Sequence, residues 1–234
     1  MKLSVAIPCY EMNNMGREML QYSLDILKTQ DYQDFEVVVS DHSINDEIYE
    51  VCEREGEYLD IHYYRNPNKR GSSSNNINNA IVHCSGDLIK ILCQDDYMFG
   101  SMAIRKTIEN FDYSKKWLVS SYFHTEDREN FYTCQIPRLS SDLCLRNLIG
   151  THSCLTIING ETLLFDENLI WYMDSEYYYR LFMRFGIPKI LKDPTVVQLL
   201  WSGQVTNTLI SRKIIRNEHN YILNKHGRTS NKSR

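Results

Sequence analysis

Residues 35–43, FEVVVSDHS, carry three consecutive valines straight into an aspartate. The pattern recurs. Residues 3–7, LSVAI, stop at Pro8, and residues 88–93, LIKILC, stop at Gln94, Asp95 and Asp96. Short, near-continuous apolar runs read as strands buried on both faces. Helical patterns stand between them: residues 16–29 place Leu20, Leu24 and Leu27 on one stripe. Alternating strand and helix predict an α/β chain with a mostly parallel central sheet, helices on both faces and right-handed crossovers. Parallel strands bring their carboxyl ends to one edge, where ligands bind in open α/β sheets. The polar residues that close these runs are therefore expected to share a crevice.

The rest of the chain extends this reading. Residues 61–64 form a third candidate strand, and the polar GSSSNNINNAIVHC becomes helical near Asn75. A helix is expected over 101–111, and strands over 117–123, 155–158 and 195–201. Helices are expected over 140–149, 174–185 and 207–224, the second ended by Gly186 and Pro188. No linker or repeat divides the 234 residues, so one compact domain is expected over 1–224. Residues 225–234 form a basic polar tail, expected to be flexible.

Several function classes are excluded. A net charge of −4 gives no reason to expect a nucleic-acid partner. The seven cysteines form no CxxC pair, against a zinc site or disulfide framework and in favour of a reducing compartment. No apolar run is long enough for a transmembrane segment, which predicts a cytoplasmic chain or one peripheral at a membrane. GxGxxG, GxxxxGK[ST] and GxSxG are all absent, against a dehydrogenase, a P-loop enzyme and a serine hydrolase.

Two adjacent acids at a buried strand end need a reason, since like charges repel. Asp95 or Asp96 would serve as a helix cap, or the pair would hold a divalent cation through hard oxygen ligands. Asp174, near the start of a helix, would be its cap or a general base facing a cleft. Arg180 stands four residues after Glu176, the spacing of a helical salt bridge worth a few tenths of a kcal/mol. Trp171 and Tyr172, beside Asp174, are candidate acceptor-side walls, as is His152 just before a strand.

VAIPCYE, VVVSDHS, NPNKRGSSSNNINNAIVHCSGDLIKILCQDD, IGTHSCLTII and MDSEYYYRL, in that order, resemble the motifs of family 2 glycosyltransferases of the GT-A fold. The resemblance implies a GT-A domain with a nucleotide-sugar-binding half over about residues 1–100 and an acceptor half over 101–224. It implies Asp96 as metal ligand and Asp95 beside the ribose. It further implies that Asp41 contacts the base, that Pro8, Tyr10, Glu11 and Arg70 lie around the nucleotide, and that Asp174 is the catalytic base. The implied cofactor is Mn²⁺, with Mg²⁺ second. The implied donor is a UDP-sugar ahead of a GDP-sugar, and the acceptor a saccharide, glycan or lipid-linked acceptor. Three positions depart from the family. Gln94 replaces the first acid of DxD. The serine/asparagine stretch lacks an arginine, for which Arg65 or Arg70 stands nearest. LLWSGQVTN carries Trp201 and Gln204 where a histidine is frequent, with His152 as a spare candidate.

The expected chemistry is a metal-dependent, inverting displacement with no protein nucleophile. The rivals are a sugar-nucleotide-binding protein without transfer, which would not need Asp174, and a nucleotidyltransferase, which would release pyrophosphate.

Overall fold

The computed structural model describes residues 1–227. In chain order the elements are β1 (Leu3–Cys9), α1 (Gly16–Lys28), β2 (Phe35–Asp41), α2 (Glu47–Glu55), β3 (Ile61–Arg65), α3 (Ser73–Val82), β4 (Leu88–Ile91), β5 (Tyr97–Met98), α4 (Ala103–Glu109), β6 (Trp117–Thr125), β7 (Tyr132–Gln135), β8 (Leu155–Ile158), α5 (Met173–Phe185), β9 (Lys189–Leu199), α6 (Val205–Thr208) and α7 (Arg212–Lys225). The strands form one nine-stranded sheet in the order β3-β2-β1-β4-β8-β6-β9-β5, with β7 paired to β6. Every residue of β2 and β4 is buried, so both faces of the sheet are covered there. This is the expected mostly parallel α/β architecture.

The register explains why the strand ends converge. Cys9 pairs with Asp41, and Asp41 with Arg65, so β1, β2 and β3 finish flush. β4 runs parallel to β1, with Ala6 opposite Ile91, and delivers Gln94 to Asp96 to the same edge. The second half inserts β8 antiparallel between β4 and β6. β9 returns parallel to β6, with its register shifting at Pro194, which has no N–H for a regular ladder.

Helix α3 joins the halves. Ser72 caps it by accepting from Asn75 N at 3.2 Å. Three of its polar side chains, Ser74, Asn76 and Asn78, are buried rather than solvated. Asn78 Nδ2 donates to Phe165 O at 2.9 Å and its Oδ1 accepts from Phe165 N at 2.7 Å. Asn76 donates to Cys9 O at 2.9 Å and accepts from Ser40 Oγ at 2.6 Å. The run of asparagines is thus a side-chain zipper that satisfies irregular backbone over 165–169 on one side and strand ends on the other.

Some expectations need correction. Residues 141–145 form a turn and 146–149 are irregular, so no helix forms over 140–149. Leu143, Cys144 and Ile149 are buried there, a spacing that makes no helical stripe. The helix expected over 207–224 is two pieces, because Ser211 Oγ accepts from Ile214 N at 3.3 Å and starts α7 afresh. The expected Glu176–Arg180 salt bridge forms, at 2.9 Å, but in the interior. Glu176 is fully buried and also meets Lys225 at 2.8 Å and His226 at 3.1 Å, tying α7 to α5. Lys225 therefore belongs to α7, while residues 228–234 of the expected tail lie outside the described residues.

Candidate active site

A cleft of about 1040 Å³ opens along the carboxyl edge of the sheet. Pro8, Tyr10, Glu11, Arg70, Asp95, Asp96, His152, Trp171, Tyr172 and Asp174 all line it. Asp41 does not. It is fully buried, where Oδ1 accepts from Ser43 N at 2.8 Å and Oδ2 from Tyr63 OH at 2.7 Å. It shapes the loop after β2, and His42 takes its place on the wall. Arg70 donates from Nε to His42 O at 2.7 Å and pairs with Glu11, whose Oε1 also accepts from Ile44 N at 3.0 Å. Arg65 is committed to Ser43 O, Asn45 O and Asp46, so Arg70 is the one of the two that reaches the cleft.

The two acids do not cap α4, whose N-cap is Met102. Asp96 Oδ2 accepts from Ser153 Oγ at 2.5 Å and Thr151 Oγ1 at 3.4 Å, and Oδ1 from Leu199 N at 3.3 Å. Burial first, and then the Asp95 charge, push its carboxyl up to about 7. Burial also raises Asp95, against the pull of Trp201, whose indole Nε1 donates to Asp95 Oδ2 at 2.9 Å. That ring fills the space over Gly203, where a Cβ would lie 2.0 Å from it. Gln204 lines the cleft, with its Nε2 donating to Leu199 O at 2.9 Å.

Gln94 is a clamp. Its Oε1 accepts from Tyr10 N at 2.9 Å and its Nε2 donates to Gly16 O at 2.8 Å. A carboxylate only accepts, so the first acid of a DxD triplet could not make both bonds. Gly16 permits the approach, since a Cβ there would meet Tyr10 O at 2.2 Å. The clamp fixes the β1 loop against the strand that carries Asp95 and Asp96.

Asp174 lies in the first turn of α5 but makes no cap bond, the N-cap being Tyr172. Its Oδ1 meets His152 Nδ1 at 2.9 Å. The other ring nitrogen, Nε2, lies 2.9 Å from Cys93 Sγ. An ionised carboxylate only accepts, so Nδ1 carries the proton and Nε2 faces the thiol. Burial alone would lower His152, but Cys93 and Asp174 together raise it well above its ordinary value. His152, in the 3₁₀ turn His152–Cys154, therefore orients Asp174 and leaves Oδ2 to the cleft. Neighbouring residues 170–172 are held from α7, where the buried Glu218 carboxylate accepts from Ile170 N at 2.8 Å, Trp171 N at 2.9 Å and Tyr172 N at 3.0 Å. Sequence reasoning missed Glu218, Cys93 and Ser153, which act through partners distant in the chain.

A second acidic group, Glu36, Asp60 and His62, lies at the amino ends of β2 and β3, away from the cleft. Lys2 Nζ occupies it, 2.9 Å from Glu36 and 3.1 Å from Asp60. Burial would raise Glu36, but the Ser4 and Ser85 bonds and Lys2 lower it to about 2. Its charge is already compensated. No helix among the described residues is long and apolar enough to cross a membrane.

Comparison with known proteins agrees with this geometry. A GalNAc(5)-diNAcBac-PP-undecaprenol beta-1,3-glucosyltransferase of Campylobacter jejuni is 29% identical over 96 residues, which is 41% of this chain and 30% of that protein. The S. aureus TarS 1–349 structure in complex with UDP-GlcNAc superposes with a TM-score of 0.74 at 17% identity, covering 96% of this chain and 66% of that one. The mannosyltransferase PcManGT from Pyrobaculum calidifontis, in complex with GDP-Man and Mn²⁺, gives 0.62 at 18% identity, covering 97% and 64%. The chain thus spans less than a third of the Campylobacter protein and about two thirds of the two solved chains. The shared fold is the GT-A fold implied by the motifs. Residues 4–161 match the family described as glycosyl transferase family 2, and the chain belongs to that family.

Proposed function

We propose that the chain moves a sugar from a nucleotide diphosphate-sugar to an acceptor hydroxyl by a single in-line displacement that inverts the anomeric configuration. The observation that carries this reading is that Asp174 and the Asp95–Asp96 pair, brought from opposite halves of the chain, line one cleft. The donor is a UDP-sugar ahead of a GDP-sugar, since TarS and PcManGT bind one of each class. The acceptor is a saccharide, glycan or lipid-linked acceptor, the last in keeping with the name of the Campylobacter relative.

The acids fit a hard divalent cation, Mn²⁺ ahead of Mg²⁺. Both present oxygen donors, neither pairs with a lysine or arginine among the described residues, and Asp96 keeps lone-pair capacity beyond its three protein donors. When bound, such a cation supplies charge stabilisation to the departing diphosphate. Asp96 is the ligand and Asp95 stands on the ribose side. Pro8, Tyr10, Glu11, His42 and Arg70 frame the nucleotide, with Asp41 fixing their loop from beneath. Asp174 Oδ2 takes the hydroxyl proton as the acceptor oxygen attacks from the face opposite the leaving group. His152 holds that carboxylate in place, and Trp171 and Tyr172 border the acceptor side.

The test is a thermal-shift and product assay with UDP- and GDP-sugars, with and without Mn²⁺. A rise in Tm that needs both nucleotide and Mn²⁺, with release of nucleoside diphosphate, supports the reading. Release of pyrophosphate would instead make the chain a nucleotidyltransferase. The absence of any shift would remove the donor site.

A further inference from the structure

The mouth of the cleft brings apolar and basic side chains to the surface together. Ile170, Trp171 and Leu209 line it and are 41%, 40% and 54% exposed. Arg146 lines it as well, and Arg212, Lys213 and Arg216 follow Leu209 into α7. α7 lies against this rim because Glu218 holds the backbone of residues 170–172. All four cations are exposed, and none pairs with a carboxylate among the described residues. Near the nucleotide end of the cleft the cations are taken: Arg70 pairs with Glu11, Lys69 with Glu167 and Arg65 with Asp46. The basic residues of α7 do not serve the helix either. Ser211 caps it, and cations in a first turn oppose the helix dipole. We propose that this rim docks on an anionic lipid bilayer, with the cleft opening toward the membrane.

A bilayer surface supplies both kinds of partner at once. Phosphate-bearing headgroups meet the guanidinium and ammonium groups, and the acyl boundary takes up an indole and two aliphatic side chains. A second copy of the chain fits less well, since an isologous pair would bring the four cations of each copy toward those of the other. The chain carries a net charge of −4, so it has no general attraction to anionic lipid and only an oriented patch supplies one. The patch thereby fixes which face meets the membrane. The surface rests on exposed groups alone. Its use, meeting a lipid-linked acceptor at the membrane, rests on the proposed transfer activity.

The full chain is mixed with vesicles of phosphatidylcholine, with and without about 30% phosphatidylglycerol, and binding is read by flotation. Binding is expected only to the anionic vesicles, with release as salt rises from about 0.1 M to about 0.5 M. Each cation held at such a surface is worth about fivefold, so joint Arg212→Ala, Lys213→Ala and Arg216→Ala should weaken binding about 100-fold. The Tm of this triple variant should hold, because the helix gains nothing from these charges. Leu209→Ser should weaken binding about fivefold. Lys192→Ala should change nothing: Lys192 is exposed and unpaired too, but stands toward the amino end of β9, whose other end carries the cleft-lining Gln198. Brominated acyl chains should quench the fluorescence of Trp171, and Trp171→Phe should remove that quenching. Equal binding to neutral vesicles, or binding to neither kind, overturns the proposal, as does a folded triple variant that binds like wild type. If the triple variant unfolds, Leu209→Ser and Lys192→Ala decide: equal losses overturn the surface. A dimer in light scattering that Leu209→Ser dissociates would make a second copy the occupant and overturn the bilayer. Quenching that survives Trp171→Phe overturns the orientation. Vesicle binding by a protein that shows no nucleotide-dependent thermal shift supports the surface and counts against the transfer reading. A thermal shift without vesicle binding overturns the surface and leaves the transfer reading standing.

Discussion

The two halves of the sheet place polar residues at the same cleft in different ways. In the parallel half the groups are bound to one another: Glu11 to Arg70, Asp41 to Tyr63 and Ser43, Gln94 to Tyr10 and Gly16. They make a frame. In the mixed half the groups reach across to the other half: Ser153 to Asp96, Trp201 to Asp95, His152 to Cys93. They set the electrostatics of acids that the frame delivers. The difference separates two kinds of variant. Changes at Asp41 or Gln94 should alter stability and leave turnover of the folded protein nearly intact. Changes in the cross-chain set should alter chemistry or ligand binding with little loss of fold.

The sharpest test is Asp174→Asn. The amide keeps the shape and the contact with His152 but has no basic oxygen. kcat should fall by about 10³-fold, with the donor Kd changed less than twofold. Native turnover by this variant would end the assignment of the base and the comparison with it.

Gln94→Glu tests the frame. A buried carboxylate cannot donate to Gly16 O, so two acceptors would face each other, costing about 1–3 kcal/mol at pH 8. A protonated glutamate has a donor and an acceptor, like glutamine. Burial raises its folded pKa above the unfolded one, so the missing stability is present at low pH and lost as pH rises through the folded pKa. The Tm difference from wild type should therefore shrink between pH 8 and pH 5. A pH-independent difference would mean that the clamp is not what holds the loop.

Asp96 should respond to pH in the opposite direction for ligand binding. With its carboxyl pushed up to about 7, it holds a proton at pH 6 that a cation must displace. By itself the raised group favours the fold below the unfolded value and loses that contribution as pH rises through about 7. A cation bound to the charged form compensates above that range. The apparent Mn²⁺ affinity, read from nucleotide-dependent thermal shifts, should weaken about tenfold from pH 8 to pH 6. Equal affinity at both values would show that Asp96 is not the group displaced.

The frame was far more legible in the sequence than the cross-chain set, for a physical reason. Apolar runs that end in Asp41 or in Gln94–Asp96 announce buried parallel strands, and parallel pairing alone aligns their ends. β8 has the bounds read from the chain. Antiparallel insertion of β8 between β4 and β6 has no local signature, since its four residues fit either direction. Helix α2 went unread because its buried stripe is only Ile48, Val51, Cys52 and Glu55. His152 looked like a lone histidine, because each of its partners lies on another element. The burial of Asn76 and Asn78 went unread, because nothing local shows that an amide on a helix will be buried against backbone from elsewhere.

Trp201→Phe should give the smallest effect and marks the boundary between frame and chemistry. The indole packs with Met12, Met15, Met19 and Leu199, which phenylalanine largely preserves. What is lost is the 2.9 Å bond to Asp95 Oδ2. Because Asp95 borders the cleft, water can replace that donor, so the net cost to the charged carboxylate is about 1 kcal/mol. That corresponds to roughly a fivefold weaker Mn²⁺-dependent nucleotide affinity. Tm without ligand should stay within about 2 °C and kcat within twofold, because the indole touches neither Asp174 nor His152. A large fall in Tm with unchanged affinity would place Trp201 in the frame. It would also show that the cross-chain bonds hold the two halves together as well as tuning the acids between them.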